Sequence, residues 1–424
     1  MTRGDVSIRL TPPARTLRRT DRTAQFFAEA VPQGKFEVSS VEGVPPDAQA
    51  APHSRESCPP SPKRMANGPS LPDVRRDAVL TGGQEFARKF GDAALQLAWR
   101  VVQPGARTFL VGKRAAPITR VAYIADDGWT ADLFRIPPCV GGHGVPVVLA
   151  HGLGASHRVF ALEPERCLAR TLSAAGYTVY LLEHRGDRSA TAPNDARAFS
   201  VDDIAMRDIP AALDVVATDS GYPRAIVIGH GLGGQAAYLS LALQTGENIA
   251  ALVTMSAAVQ FARTETMART AGLIAALAPR EWTIPARHLQ SVFTPFLRDG
   301  ETLASPDTDA SVLRGHLRYA GSDLNSGVLR QLARWVAEGA LTDSTGRLDV
   351  VSALPKLPSL VLEPDADPAC PIGAAKPAAV AMGGTLSALT GGWGHLDALY
   401  GERAPHVCFP QIVAFCDEMR ARAE

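Results

Sequence analysis

Short apolar runs rich in β-branched residues alternate along this chain with longer segments whose apolar positions return every three or four residues. Residues 118–124 and 131–136 read as two short strands joined by the turn Asp126, Asp127, Gly128, which is hairpin chemistry. Residues 146–150 form a buried strand by composition, running into His151, Gly152, Leu153 and Gly154, with a helix expected to begin near Ser156. A further strand is predicted over 178–182. A helix over 201–217 would turn Ile204, Ile209, Leu213 and Val216 inward. Residues 251–255 are strand-like and end at Ser256. From 259 to 345 the periodic segments are helical, broken by prolines at 279, 285, 295 and 306, the sheet pattern pauses, and Leu329, Leu332, Trp335 and Val336 make one apolar face. Strands return at 359–363 and 385–389, and a terminal helix carries Phe409, Ile412, Val413 and Phe415.

The stretch that organises the rest runs from Ala225 to Tyr238, where an apolar strand meets glycines and then a helix-forming segment. Such a corner lifts Gly231 onto a sharp point with the first helical N–H groups behind it, an arrangement suited to nucleophilic attack or to phosphate binding. Gly229, Gly231 and Gly234 satisfy the dinucleotide pattern G-x-G-x-x-G. Gly229, His230, Leu232 and Gly233 satisfy the nucleophile-elbow pattern G-x-S-x-G, with glycine standing where serine belongs.

Ahead of this body, residues 1–71 are rich in Pro, Ser, Arg and Ala and are expected to be a disordered tail. Within 72–115, Phe86, Phe90, Ala94, Leu97 and Val101 predict an amphipathic helix that packs on the main body. At 424 residues and 46% apolar content the chain can bury a large core. Its 43 basic and 43 acidic residues cancel, so no overall field recruits nucleic acid or an anionic membrane. No apolar run approaches the length of a membrane span, and no apolar h-region follows the first residues as in a secretory signal. The six cysteines are scattered without paired spacing and read as reduced core thiols, which points to a cytoplasmic setting. No paired Cys/His spacing suggests a metal, and no cofactor is expected.

Three landmarks in order carry a resemblance to the α/β-hydrolase superfamily, in its lipase-like and esterase-like branch. The first is a strand ending in His151, Gly152, Leu153, Gly154, and the second is the corner at Gly231. The third is Asp367, in the run Pro364 to Pro368, followed by His395 in Gly391 to Asp397. The turn from Glu183 to Ser189 is similar to the family's D-x-R-G-x-G-x-S. The resemblance spans about residues 116–420. It implies an α/β fold with a mostly parallel central sheet flanked by helices, in two core parts over 116–258 and 346–424 with a helical cap inserted over 259–345.

The resemblance also implies roles. His395 would be the base, Asp367 its orienting acid with Asp365 the weaker candidate, and the N–H groups of Leu153 and Leu232 the oxyanion hole. The nucleophile is absent at Gly231. His151, Gly152 and His230 adjoin this site, and Trp282, Leu289, Phe293, Phe296 and Trp335 would line or pack a pocket beneath the cap. Neither Ser256 nor His230 sits at the elbow tip to replace the serine. The implied function is binding of a small apolar acyl or ester-like ligand without serine-based turnover. An active carboxylic-ester hydrolase using water activated by His395 is the alternative. A nucleotide-binding oxidoreductase is a third reading, and it lacks the acid expected about 20 residues beyond the glycines. Nothing in the sequence fixes the oligomeric state.

Overall fold

The computed structural model describes residues 118–139, 141–162, 166–187, 189–193, 198–261, 283–284 and 308–423. The expected tail over 1–71, the helix expected in 72–115, and Trp282, Leu289, Phe293 and Phe296 lie outside the described residues, as does most of 259–307.

Eight strands form one sheet: β1 (Thr119–Ile124), β2 (Thr130–Ile136), β3 (Pro146–Ala150), β4 (Thr178–Leu182), β5 (Ala225–His230), β6 (Ile249–Met255), β7 (Ser359–Pro364) and β8 (Thr385–Leu389). Their spatial order is β1-β2-β4-β3-β5-β6-β7-β8. β1 and β2 make an antiparallel hairpin whose turn uses Gly128 at φ 87°, and β2 runs antiparallel to β4. All other pairings are parallel. Strands β3, β4, β5, β6 and β7 are buried at every position, as unbroken apolar runs covered on both faces should be.

Alternate residues feed two cores, one on each face. Val148, Ala150, Tyr180, Leu182 and Val227 pack with helices α2 (201–220) and α3 (Leu232–Ala242). Val147, Leu149, Val179, Leu181 and Ile228 pack with α1 (Leu168–Ala174) and the terminal helix, here α6 (Ala404–Ala423). The chain therefore has the mostly parallel, helix-flanked α/β architecture expected from its motifs.

Local differences have local reasons. The helix expected near Ser156 is a four-residue 3₁₀ turn, His157–Phe160, and α1 begins only at Leu168. Helix α2 is not uniform, because Pro210 has no N–H to donate and the ladder slips into a π turn over Ile204–Asp208. The span expected to be purely helical contains a two-stranded ladder, Thr283–Ile284 against Leu324–Asn325, before α4 (Ser326–Glu338). In α4, Val328, Gln331 and Trp335 are buried while Leu329, Leu332 and Val336 are only half-buried, so the apolar face is rotated from its expected position. Cys139 is exposed, unlike Cys167, Cys370, Cys408 and Cys416, and all five are unpaired. Short helix α5 (Lys376–Met382) links β7 to β8.

The C-terminal ends of β3, β5, β6 and β7 share one edge of the sheet, where open parallel sheets gather ligand-binding loops. Two glycines let α3 start tight against this edge: a Cβ on Gly233 would stand 2.2 Å from Ala150 O, and one on Gly229 would stand 2.4 Å from Gly234 N. Gly233→Ala should therefore cost about 3 kcal/mol in urea denaturation. Gly221→Ala should cost only about 1 kcal/mol, since Gly221 is left-handed at φ 77° with open space around it. Equal losses for the two variants would contradict this packing.

Candidate active site

Gly231 caps α3 at φ 51°, ψ −118°, a backbone state that L side chains rarely adopt. Its N–H is held by Met255 O at 2.9 Å, and its carbonyl receives Gln235 N–H at 3.0 Å. A Cβ built here would lie 3.2 Å from His395 Nε2, 3.4 Å from His395 Cε1 and 3.8 Å from Gly152 Cα. The imidazole thus faces the tip directly, and the turn after β3 abuts it.

His395 is aimed by Asp367. Nδ1–H donates to Asp367 Oδ2 at 2.8 Å, which leaves the lone pair on Nε2, toward Gly231. Asp367 is buried and also accepts Ala369 N–H at 2.8 Å. Burial pushes its pKa up, but the bonds from His395 and its neighbours outweigh this and hold it below the ordinary value. Asp365 does other work: it accepts the N–H groups of Gly391, Gly392 and Trp393 and so shapes the loop that carries His395.

His230 Nε2–H donates to His395 O at 3.0 Å, and the two rings sit 4.6 Å apart at 59°. Burial first, and the nearby His395 second, push the His230 pKa down to about 3. Ser256, with φ 55°, donates to the same carbonyl at 3.4 Å. It supports the Asp367–His395 pair from below and does not reach the tip. His316 lies buried close by against the Tyr400 hydroxyl at 3.0 Å, its pKa lowered to about 4 by burial and then by His395.

The turn after β3 is anchored to the turn from Glu183 to Ser189 and to Ser322, pairings that sequence reasoning missed. His151 Nε2 pairs with Asp187 Oδ2 at 2.7 Å, and both side chains are buried. Burial lowers the His151 pKa, but the facing Asp187 carboxylate more than offsets this and raises it. Asp187 in turn accepts Ser322 Oγ–H and His184 N–H, the latter at 3.1 Å. Ser322 N–H also donates to Gly154 O at 2.8 Å, and Ser156 Oγ to Ala320 O at 3.0 Å. His184 packs 4.3 Å from His151 and is driven by burial to a pKa of about 3. The turns that carry His151, His184 and Asp187 were recognised in the sequence, but nothing there joined them to each other or to Ser322.

Between the two turns, the Leu153 N–H has no backbone acceptor among the described residues. The Leu232 N–H opens α3, where helices have no acceptor of their own to offer. Two donors and one imidazole lone pair at a shared edge suit a carbonyl ligand that develops negative charge on oxygen. Of the remaining expected lining residues, Trp335 is fully buried in the core, with Nε1–H on Thr342 O at 2.7 Å and its ring 5.9 Å from Phe261. Among the described residues no group of three or more His, Cys, Asp or Glu side chains is placed to hold a metal ion, and no helix is long and apolar enough to cross a membrane.

The sequence model of a family described as alpha/beta hydrolase fold matches residues 145–291. Human lipase member K is 31% identical over 131 residues, covering 27% of this chain and 32% of that protein. Human gastric triacylglycerol lipase is 33% identical over 123 residues, covering 26% and 31%. The chain thus spans about a third of the length of these curated relatives. Among solved structures, DcsB in complex with its substrate analogue superposes with a TM-score of 0.52 at 15% identity, over 72% of this chain and 100% of that one. A lipase in its open form gives 0.51 at 18% identity, over 72% and 99%. At such identities these likenesses speak for the fold.

Three neutral buried histidines, His184, His230 and His316, have folded pKa values near 3, 3 and 4, below their ordinary value. The unfolded chain therefore takes up protons first as pH falls, and stability drops from about pH 6.5 downward, by up to about 1.4 kcal/mol per pH unit for each group. His151, raised, works oppositely: its contribution is full below the unfolded value and is lost as pH rises through the folded one. The three outweigh His151 and buried Asp208, whose pKa burial raises to about 6 and which also gains stability on acidification, so the urea midpoint at pH 5 should lie below that at pH 7.5, with a smaller difference in His316→Gln. A midpoint that holds or rises at pH 5 would contradict this accounting.

Proposed function

From its membership of the α/β-hydrolase superfamily, we propose that this chain binds a small apolar acyl or ester-like ligand at the Gly231 corner without forming an acyl-enzyme. The observation that carries the reading is the approach of His395 Nε2 to the tip of the corner, 3.2 Å from where a Cβ would stand. The ligand carbonyl lies between the Leu153 and Leu232 N–H groups, and the base that an attacking serine would have used faces it. No oxygen is bonded to the tip. With glycine there, the corner also avoids the strain of about 1–3 kcal/mol that a residue with a Cβ incurs in such a conformation. The buried free thiols at Cys167, Cys370, Cys408 and Cys416 support the proposed cytoplasmic setting. The pocket walls expected at Trp282, Phe293 and Phe296, and the cap over 259–345, belong to this proposal.

The hydrogen bond between His395 and Asp367 favours a second reading, slow hydrolysis of esters by water activated at His395. Removing a triad member leaves about a thousandfold catalysis over water from the anion cradle and binding, so turnover would be weak.

Gly231→Ser should gain fluorophosphonate labelling and p-nitrophenyl butyrate hydrolysis while losing about 1–3 kcal/mol of stability. The wild-type protein should not label. Labelling of the wild type would overturn the proposal, and an inert, folded Gly231→Ser would show that the site does not accept a carbonyl. If the water route operates, any wild-type ester turnover should vanish in His395→Ala; full activity in that variant would exclude His395 as the base.

A further inference from the structure

A base and an anion cradle without a nucleophile can still do chemistry, because a proton can be taken from the ligand itself. A serine hydroxyl is bonded to the corner and so sits close to its Cα. With no hydroxyl bonded there, His395 Nε2, 3.2 Å from the Cβ position of Gly231, faces the space that a ligand over the corner would enter. Nε2 has no hydrogen-bond partner among the described residues, while Nδ1 is committed to Asp367 at 2.8 Å. The lone pair therefore meets atoms of whatever lies over the corner. With a carbonyl oxygen between the N–H groups of Leu153 and Leu232, the carbonyl carbon follows, and the α carbon is one bond further.

Resting on the ligand site proposed above, we infer that His395 abstracts the proton α to the carbonyl of a ketone or thioester. The C–H pair becomes the C=C bond of an enolate, the carbonyl π pair moves onto oxygen between the two N–H groups, and the proton resides on Nε2. Return of that proton, or of one exchanged with solvent, to the same carbon or to its conjugated position completes a racemisation or isomerisation. No oxidant, metal or second substrate is required for this balance. The supports to His395 fit such a role: the His230 Nε2–H on its carbonyl at 3.0 Å and the buried Asp367 hold the ring without occupying Nε2.

The probe is the S-ethyl thioester of phenylacetic acid in D₂O, with full-length wild-type protein, followed by proton NMR. The α-CH₂ signal should disappear at least about 100-fold faster than in buffer, and this acceleration should be lost in both His395→Ala and His395→Gln. Gly231→Ser should convert the exchange into release of ethanethiol. Saturation transfer to the probe is recorded in parallel. A bound probe whose α protons do not exchange overturns this inference and leaves the ligand site standing. Ethanethiol release outpacing exchange in the wild type also overturns it, in favour of water attack. A probe that shows no saturation transfer and no exchange sinks both the inference and the site on which it rests.

Discussion

The hydrogen bond from His395 Nδ1 to Asp367 is the contact on which the rest of this site depends. It fixes which nitrogen keeps a lone pair, and that nitrogen is the one that faces Gly231. The bond survives because Asp367 is buried on a loop leaving β7 and is held by neighbours that prefer its charged form. Asp365, two residues earlier, braces the facing loop through three N–H groups. The sheet supplies the remaining precision, since β3, β5, β6 and β7 end at one edge and glycines allow α3 to start against them.

Around this pair lies a shell of buried histidines whose pKa values burial lowers, and one, His151, whose pKa a facing carboxylate raises. His230 and His316 are stripped of water and kept uncharged beside His395, so no extra positive charge competes with it near neutral pH. His151 is paired with Asp187 and ties the turn after β3 to the chain around Ser322. With glycine at the tip, His230, Asp367 and His395 each keep a hydrogen-bond partner around it. Glycine at φ 51° avoids the strain that a Cβ would bring to this corner.

Much of this was legible in the residues. The strands at 146–150 and 178–182 coincide with their apolar runs, because buried parallel strands write themselves as unbroken apolar stretches. Asp367, His395 and Gly231 were marked by turns with a recognisable spacing, and the fold brings them together. What was not legible came from partners distant in sequence: Ser322 meets Asp187 across 135 residues, and His184 meets the His151 carbonyl across 33. The helix near Ser156 failed for the opposite reason, since a short stretch with apolar side chains at two positions can satisfy its packing in a single 3₁₀ turn. The face of α4 was misplaced because Gln331 is buried by its bond to Asp202, which apolar periodicity does not register.

The central claim is that His395 presents an unprotonated Nε2 toward Gly231 while Nδ1–H stays on Asp367. Long-range ¹H–¹⁵N correlation of the histidine rings at pH 7.5, with His395 assigned by substitution, measures this directly. The account predicts a protonated Nδ1 and a bare Nε2 for His395, with the pattern disturbed in Asp367→Asn. The opposite tautomer, or a ring averaging between both in the wild-type protein, would contradict it.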